Sequence, residues 1–122
     1  MKSIAVIGAS SNRDKFGNKC IRAFLSKGFI VYPINPKENE IEGLKNYRTI
    51  SEIEDEINIV SIYLRPEITL NIVDEIIAKK PSLVYLNPGT ESEEIKNRFE
   101  KEGIEVKEKC SIVAIGINPS EL

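Results

Sequence analysis

Short apolar runs alternate with helical patterns from one end of the chain to the other, and this alternation constrains the fold more than any other feature. Five runs have the length and composition of buried strands, at residues 3–8, 29–34, 57–64, 82–87 and 104–108. Strands that alternate with helices through short connections form parallel sheets. We therefore predict an α/β fold: a Rossmann-like, doubly wound, mostly parallel sheet with helices on both faces and the first strand at its centre.

Two of the connections predict helices from apolar residues at helical spacing. The first helix begins near Gly17 and stops at Gly28. Its buried stripe consists of Cys20, Ile21, Phe24 and Leu25. The second begins at Pro66, a residue suited to a first helical turn, and ends at Pro81. Its stripe consists of Ile68, Ile72, Val73, Ile76 and Ile77.

Two further stretches have the spacing of a capping box, in which a hydroxyl residue and an acid three positions later satisfy free N–H groups at a helix start. Residues 90–93 predict the start of a third helix, which turns Ile95 and Phe99 inward. Residues 51–54 predict a single helical turn. The remaining segments are less regular: residues 37–50, with one short strand near Tyr47, and the apolar segment 112–117.

Composition narrows the class of protein. The chain has 122 residues, a length that fits one domain over residues 1–122. Its net charge is -2, so the chain lacks the positive surface field that nucleic-acid binding requires. The apolar runs are too short to span a membrane, and the N-terminus enters a strand without the features of a signal peptide. We therefore expect a cytoplasmic protein with neither a nucleic-acid partner nor a membrane partner.

The chain contains no histidine, which removes the commonest general base and the commonest metal ligand. Its two cysteines, Cys20 and Cys110, are too few for a disulfide framework or a metal cluster, and we interpret them as buried small apolar residues. We expect no metal site and no catalytic residues.

The connection between the first strand and the first helix has the character of a phosphate-binding loop. Gly8 permits a sharp turn and a close approach to a ligand, and Ser10 offers a hydroxyl and a backbone donor. The helix that begins near Gly17 supplies free N–H groups and a dipole that favour a pyrophosphate. The loop is longer than G-x-G-x-x-G, and a plain strand–helix connection remains an alternative for this loop alone.

The end of the second strand indicates which nucleotide is favoured. Domains that bind NAD usually place an acid there to hold the ribose hydroxyls. This chain has Asn35-Pro36-Lys37 instead, which disfavours NAD and allows a phosphate on the ribose. A solvated lysine in an ordinary turn is the alternative interpretation of Lys37.

Two more strand ends belong to the same edge of the predicted sheet. One carries Leu64-Arg65-Pro66 and the other carries Asn87-Pro88-Gly89. Ligands of doubly wound sheets bind outside the carboxyl ends of the strands. Each loop alone is more often a turn, but together they favour a binding site.

The sequence resembles the small stand-alone CoA-binding proteins, whose domain is similar to the CoA-binding domain of the succinyl-CoA synthetase alpha subunit. The resemblance runs along essentially the whole chain. The stretches that carry it are residues 4–10, 15–19, 31–37, 40–43, 65–67, 87–89 and 91–94, and Cys110. The Gly8-Ala9-Ser10 loop together with the Asn35-Pro36-Lys37 loop is its most specific part.

The resemblance implies coenzyme A as the ligand and a role for each matching position. Gly8, Ala9, Ser10 and Lys15 would hold the phosphates, beside Gly17 and Asn18 at the helix start. Asn35, Pro36 and Lys37 would lie by the adenosine, and Leu64, Arg65 and Pro66 would flank the adenine. Asn87 and Gly89 would lie along the pantetheine. The chain has Arg65-Pro66 where the family often has Pro-Pro, and Asn87 where it often has Gln.

The resulting hypothesis is non-catalytic binding of CoA or an acyl-CoA. A non-catalytic subunit of an enzyme that acts on CoA thioesters, and a module that binds or senses an NAD-type dinucleotide, are the alternatives. The sequence does not indicate a protein partner.

Overall fold

The computed structural model describes residues 2–122, and five parallel strands form its main sheet. These strands are β1 (Ser3–Ile7), β2 (Ile30–Ile34), β5 (Ile59–Ile62), β6 (Leu83–Leu86) and β7 (Glu105–Lys107). A separate hairpin contains β3 (Glu40–Ile41) and β4 (Leu44–Lys45). The five helices are α1 (Phe16–Ser26), α2 (Pro66–Thr69), α3 (Val73–Ala78), α4 (Glu93–Lys101) and α5 (Ser111–Ala114).

The order of the strands is β2-β1-β5-β6-β7, and every pairing between them is parallel. The predicted doubly wound fold is confirmed, and the sheet is wholly rather than mostly parallel. The prediction that the first strand is central was wrong, because β5 is the middle strand and β1 lies between β2 and β5. The chain therefore reverses its direction of winding at β1 and β5, where ligands of such sheets bind.

Each face of the sheet is covered by its own apolar layer. On one face, α1 and α5 contribute Cys20, Phe24 and Ile112 to a cluster that includes Ile4 and Val6 of β1. On the other, α3 and α4 pack against alternating strand residues. The members that α3 and α4 contribute are Val73, Ile76, Ile95 and Phe99. The alternation of side chains along β1 thus sends neighbouring residues into different layers.

The predicted helix from Pro66 to Pro81 is two helices, α2 and α3. The backbone tightens after α2, where the N–H of Ile72 donates to the carbonyl of Thr69, three residues back. Ile72 has φ -121° and ψ 5°, outside the helical region. Ile68 is 39% exposed, and Ile72 and Ile77 are only partly buried against the core, so only Val73 and Ile76 of the five predicted residues are fully buried.

The helix caps also differ from the sequence interpretation. α4 begins two residues late, because the hydroxyl of Ser92, not that of Thr90, accepts from the N–H of Ile95. The hydroxyl of Thr90 donates to the carbonyl of Asn87 instead. The other helical turn spans Ile50–Glu52 and is capped by Thr49, so its capping box starts two residues before the predicted one.

Pro33 is tolerated because β2 is an edge strand. Its carbonyl accepts from the N–H of Tyr47, on the side away from β1, so the donor that proline lacks also falls on this outer side. The expected strand near Tyr47 is a single bridge to Ile34, and residues 40–45 form the hairpin. Leu25, predicted to be buried on α1, is 38% exposed, whereas Ala23 is fully buried.

Gly17 brings the first turn of α1 against the turn that follows β1. A Cβ atom at Gly17 would collide with the carbonyl oxygen of Gly8 and would lie 3.2 Å from the Cα of Ala9. Gly8 itself has φ +90°, and a Cβ there would lie 3.1 Å from the Cβ of Tyr63. Two glycines therefore permit the tightest backbone approach at this end of the sheet.

Replacing Gly17 by alanine should destabilise the fold although alanine favours helices. Helix propensity alone would add about 1 kcal/mol to the free energy of unfolding. Overpacking against fixed backbone costs typically about 1–3 kcal/mol, so we expect a net loss. Urea denaturation measures the sign of the change in the free energy of unfolding. Asn97→Ala, on the exposed side of α4, is the control, and it should stabilise the fold as helix propensity predicts. Stabilisation by Gly17→Ala would contradict the described contact.

Candidate ligand-binding cleft

A cleft of about 710 Å³ lies at the carboxyl ends of β1, β2 and β5, over the point where the winding reverses. Its size falls within the range of about 300–1,000 Å³ that small-molecule sites occupy. The turn after β1 and the start of α1 form one end, and apolar residues form the other. The lining residues are Ile7, Gly8, Ala9, Ser10, Lys15, Phe16, Gly17, Ile34, Asn35, Pro36, Arg48, Thr49, Ile50, Tyr63, Leu64, Ile68, Ile72 and Glu75.

The α1 end of the cleft has the chemistry of an anion site. The N–H groups of Phe16 and Gly17 are the first two of α1, where no preceding turn supplies an acceptor. Lys15 is the N-cap residue and is exposed, and the first turn carries no acid. The helix dipole and the lysine therefore favour a negative group between α1 and the Gly8–Ser10 turn.

Side-chain amides and hydroxyls fix the loop that approaches this end. The N–H of Asn12 donates to Ser10 Oγ (3.0 Å), and the N–H of Asp14 donates to Asn12 Oδ1 (3.0 Å). Asn18 is fully buried and its Nδ2 donates to the carbonyl of Ser10 (2.9 Å). These hydrogen bonds from side chains of the loop and of α1 hold the loop in one conformation.

Glu42, at the tip of the β3–β4 hairpin, ties this loop from outside the cleft. Its Oε2 accepts from Asn18 Nδ2 (3.0 Å), and its Oε1 pairs with Arg13 Nη1 (2.6 Å). The hydrogen bond from Asn18 lowers the pKa of the Glu42 carboxyl, and the charge of Arg13 lowers it further. The hairpin, which the sequence did not predict, therefore acts as a brace for the candidate anion site.

Asn35 joins the ends of β1 and β2. Its Nδ2 donates to the carbonyl of Ala9 (2.8 Å), and its Oδ1 accepts from the N–H groups of Lys37 (2.8 Å) and Glu38 (3.2 Å). The turn leaves Lys37 exposed and outside the cleft lining. Arg48 contributes a cation to the lining instead.

The far end of the cleft is apolar and closed by an acid. Ile34, Ile50, Leu64 and Ile72 form its walls above the α3 side of the core. Glu75 completes the lining, and its Oε1 accepts a hydrogen bond from Ser51 Oγ (3.1 Å). The cleft therefore joins a cationic end to an apolar chamber.

The structure brings eight of the fourteen predicted site residues into one lining: Gly8, Ala9, Ser10, Lys15, Gly17, Asn35, Pro36 and Leu64. The other six lie outside it. Asn18 supports the loop from below, and Lys37 and Gly89 are exposed in turns. Arg65 is the exposed N-cap residue of α2, and Pro66 is that helix's first residue.

Asn87 is the sixth predicted site residue outside the lining. It is 1% exposed, and its side-chain amide makes hydrogen bonds within the protein. Its Nδ2 donates to Ser61 Oγ (2.9 Å) and to the carbonyl of Ile62 (2.8 Å). Its Oδ1 accepts from the N–H of Ser111 (2.9 Å), which attaches α5 to the sheet. Asn87 is therefore placed as a link between elements beneath the edge of the sheet.

The same buried network positions Tyr63 in the cleft wall. Its hydroxyl lies 3.2 Å from Ser111 Oγ, which lies 2.8 Å from Ser61 Oγ. Burial raises the pKa of the Tyr63 phenol well above its usual range, so it stays protonated at neutral pH. Tyr63 thus supplies a fixed, neutral surface.

The two cysteines are free thiols with different environments. Cys20 is fully buried and its Sγ lies 3.6 Å from Ser111 Oγ; burial raises the pKa of this thiol. Cys110 is only partly buried, at the N-cap of α5, so the interpretation of both as buried residues was wrong for Cys110. Neither lines the cleft.

The sequence interpretation missed about half of the lining residues. Ile68 and Ile72 were assigned to a core-facing helical stripe, and both line the cleft. Arg48, Thr49 and Ile50 lie in a stretch without periodicity, and only the fold brings them to this edge. Phe16, which is 50% exposed, carried a detectable signal as a large apolar residue at the start of a polar helix face.

Two general properties of the described chain bear on the function. Over residues 2–122 no helix has both the length and the apolar character needed to cross a bilayer. The same part of the chain brings together no group of three or more Cys, Asp or Glu side chains suited to a metal ion.

The fold and the cleft define a Rossmann-like domain with a candidate anion site at its topological switch point. The family model described as a CoA binding domain matches residues 2–116, so the chain belongs to this family. This confirms the resemblance seen in the sequence.

Similar proteins of known sequence or structure are consistent with this family assignment. The alpha subunit of an ADP-forming acetate–CoA ligase II from Pyrococcus furiosus is 33% identical over 121 residues, which cover 96% of this chain and 26% of the subunit. A conserved hypothetical protein from Pyrococcus furiosus has a TM-score of 0.83 at 37% identity, with 93% of this chain and 99% of that chain covered.

A larger enzyme contains a similar domain. Acetyl-coenzyme A synthetase 1 of Ca. Korarchaeum cryptofilum, solved with phosphate and ADP, has a TM-score of 0.76 at 29% identity. The match covers 88% of this chain and 25% of the synthetase. The chain therefore spans about a quarter of the length of the ligase subunit and of the synthetase.

Glu42→Gln should loosen the loop that carries the anion site and should flatten the acid limb of the stability profile. A carboxyl whose pKa is lowered by folding stabilises the native state above its unfolded pKa and loses this effect as the pH falls through its folded pKa. Thermal melts between about pH 7 and pH 3 should therefore show a smaller acid-induced loss in Glu42→Gln than in the parent protein. Glu54→Gln, an exposed position, is the control. Identical pH profiles of thermal stability for Glu42→Gln and the parent protein would contradict the role of Glu42 in holding the loop.

Proposed function

We propose that this chain binds coenzyme A or an acyl-CoA in the described cleft and performs no catalysis by itself. One observation carries the proposal. The anion end, formed by Gly8–Ser10, Lys15 and the start of α1, opens directly into the apolar chamber in a single cavity. A ligand with phosphates next to a planar apolar group fits a cleft in which an anion end adjoins an apolar chamber.

The residues of the cleft support coenzyme A as its ligand. The first two N–H groups of α1, at Phe16 and Gly17, are available to a pyrophosphate, whereas the N–H groups of Gly8 and Ala9 donate to the carbonyl of Ile34. Lys15 and Arg48 add positive charge, and Ile50, among other apolar residues, lines a space for the adenine. When bound, coenzyme A supplies a thiol that carries acyl groups; the residues of this chain hold and orient it.

The end of β2 supports coenzyme A over NAD. Asn35 occupies the place where an acid would accept hydrogen bonds from the ribose hydroxyls, and its Oδ1 is engaged by backbone N–H groups. A neutral amide next to Lys37 and Arg48 tolerates a ribose phosphate, whereas an acid would repel it. An NAD-type ligand is the alternative that the binding experiment distinguishes.

The groups that line the cleft support a non-catalytic role. Tyr63 keeps its proton at neutral pH, Cys20 is buried outside the lining, and the chain has no histidine. Glu75 is the acid of the lining, and no second carboxyl accompanies it there, so the lining lacks an acid–base pair. Since its relatives include ligase subunits, the domain would deliver CoA to a catalytic partner.

Binding can be ranked by ligand-induced shifts in the melting temperature. We expect the order coenzyme A, then dephospho-CoA, then NAD. A ligand at about 100 times its dissociation constant stabilises the native state by about 2.7 kcal/mol, which melts resolve. A larger shift with NAD than with coenzyme A would overturn the proposal.

Lys15→Ala should weaken coenzyme A and dephospho-CoA equally, because both carry the pyrophosphate. A charge-assisted contact at an exposed site contributes roughly 1–2 kcal/mol, so the dissociation constants should rise about tenfold. Isothermal titration calorimetry measures both ligands. Lys27→Ala, on an exposed lysine beyond the other end of α1, is the matched control and should bind like the parent protein.

The same titrations identify the cation that contacts the 3′-phosphate. Lys37→Ala should weaken coenzyme A by about 1–2 kcal/mol and leave dephospho-CoA unchanged, since that ligand lacks this phosphate. Arg48→Ala is the comparison, because Arg48 lines the cleft and Lys37 does not. A selective loss in Arg48→Ala alone would transfer the role to Arg48.

The isolated chain should not hydrolyse CoA thioesters. Incubation with acetyl-CoA and succinyl-CoA should release free thiol at the rate of a protein-free control. A turnover of about one per second, modest for an enzyme, would show that the chain is catalytic.

A further inference from the structure

One lining residue is not explained by the binding of an anionic ligand. Glu75 places a carboxylate in a cleft whose other charged lining residues are Lys15 and Arg48. Within residues 2–122, no cation lies within ion-pair distance of Glu75. A carboxylate accepts hydrogen bonds and repels phosphate, so this part of the cleft is suited to a ligand group that donates a hydrogen bond.

The position of Glu75 indicates which group this is. Ile34, Ile50, Leu64 and Ile72 surround the same chamber, so the ligand group there is apolar on its faces. The chamber lies beyond the anion end, on the α3 side of the sheet. A nucleobase whose ribose is linked to the pyrophosphate has apolar faces and a polar edge, and it matches this arrangement.

The carboxylate of Glu75 is also held in place. Ser51 Oγ donates to its Oε1 (3.1 Å), and Glu75 lies on α3, which is anchored by the buried Val73 and Ile76. Among the described hydrogen bonds, Oε2 has no donor from the protein. One oxygen is thus fixed by the fold and the other is free to accept a hydrogen bond from the ligand.

We propose that Glu75 makes this cleft selective for an adenine base, by accepting a hydrogen bond from the exocyclic amino group. The inference rests on the proposed binding of coenzyme A and adds the residue that recognises its base. Hypoxanthine and guanine present a carbonyl oxygen at the corresponding ring position. Two acceptors would then face each other, and binding would be disfavoured.

The experiment compares coenzyme A with its 6-deamino analogue, in which hypoxanthine replaces adenine, and ADP with IDP. In the parent protein we expect the adenine ligand of each pair to bind at least about tenfold more tightly. In Glu75→Gln the ratio should fall close to one, because an amide can accept from adenine and donate to hypoxanthine. Glu67→Gln, an exposed acid on α2 outside the lining, should keep the parent ratio.

The outcomes separate this inference from the function on which it rests. Tight binding of coenzyme A with equal binding of its 6-deamino analogue to the parent protein would overturn the role of Glu75 alone. Equal binding of ADP and IDP would show that the base lies elsewhere and would overturn it as well. Failure of the parent protein to bind coenzyme A would overturn the proposed function and this inference together. The parent ratios do not depend on the folding of any variant.

Discussion

The contact between Gly8 and Gly17 determines where the first helix lies, and the candidate site depends on that position. The first turn of α1 touches the backbone of the turn after β1, at a distance that leaves no room for a Cβ atom. This contact directs the free N–H groups of the helix toward the edge of the sheet where the winding reverses. A Cβ atom at Gly17 would collide with the carbonyl oxygen of Gly8 and would push α1 away from β1, whereas a Cβ atom at Gly8 would press against Tyr63.

Neutral amide side chains hold the surrounding loops together. Asn18 fixes the turn after β1, Asn35 joins β1 to β2, and Asn87 joins β5 to α5. Asn46 adds a link from the hairpin to the carbonyls of Asn35 and Glu38. An amide carries no charge, so these links order the edge without adding a net charge to it. Beneath this edge, the network of Ser61, Ser111 and Cys20 plays the same role within the core.

The sequence predicted the layers of the fold well, because apolar periodicity reports burial directly. It identified the turn at Gly8–Ser10 and the start of α1 for the same reason: glycine and a helix start have local signatures. It did not predict the break between α2 and α3, since Ile68 and Ile72 keep helical spacing while facing the cleft. Glu75 and Arg48 carry no local signal at all. Their place in the lining follows from which loops the sheet order brings together, and that is a property of tertiary structure.

The location of the cleft has a mechanical consequence. Its anion end is formed by α1, which packs on one face of the sheet, and its apolar end lies above the layer on the opposite face. The sheet keeps these two layers apart along most of its length. A molecule that fills the whole cleft would touch both, and it would act as a noncovalent cross-link between the layers on opposite faces of the sheet. Ligand binding would therefore increase the cooperativity of unfolding as well as the stability of the native state, because neither layer could separate from the sheet without losing the shared ligand.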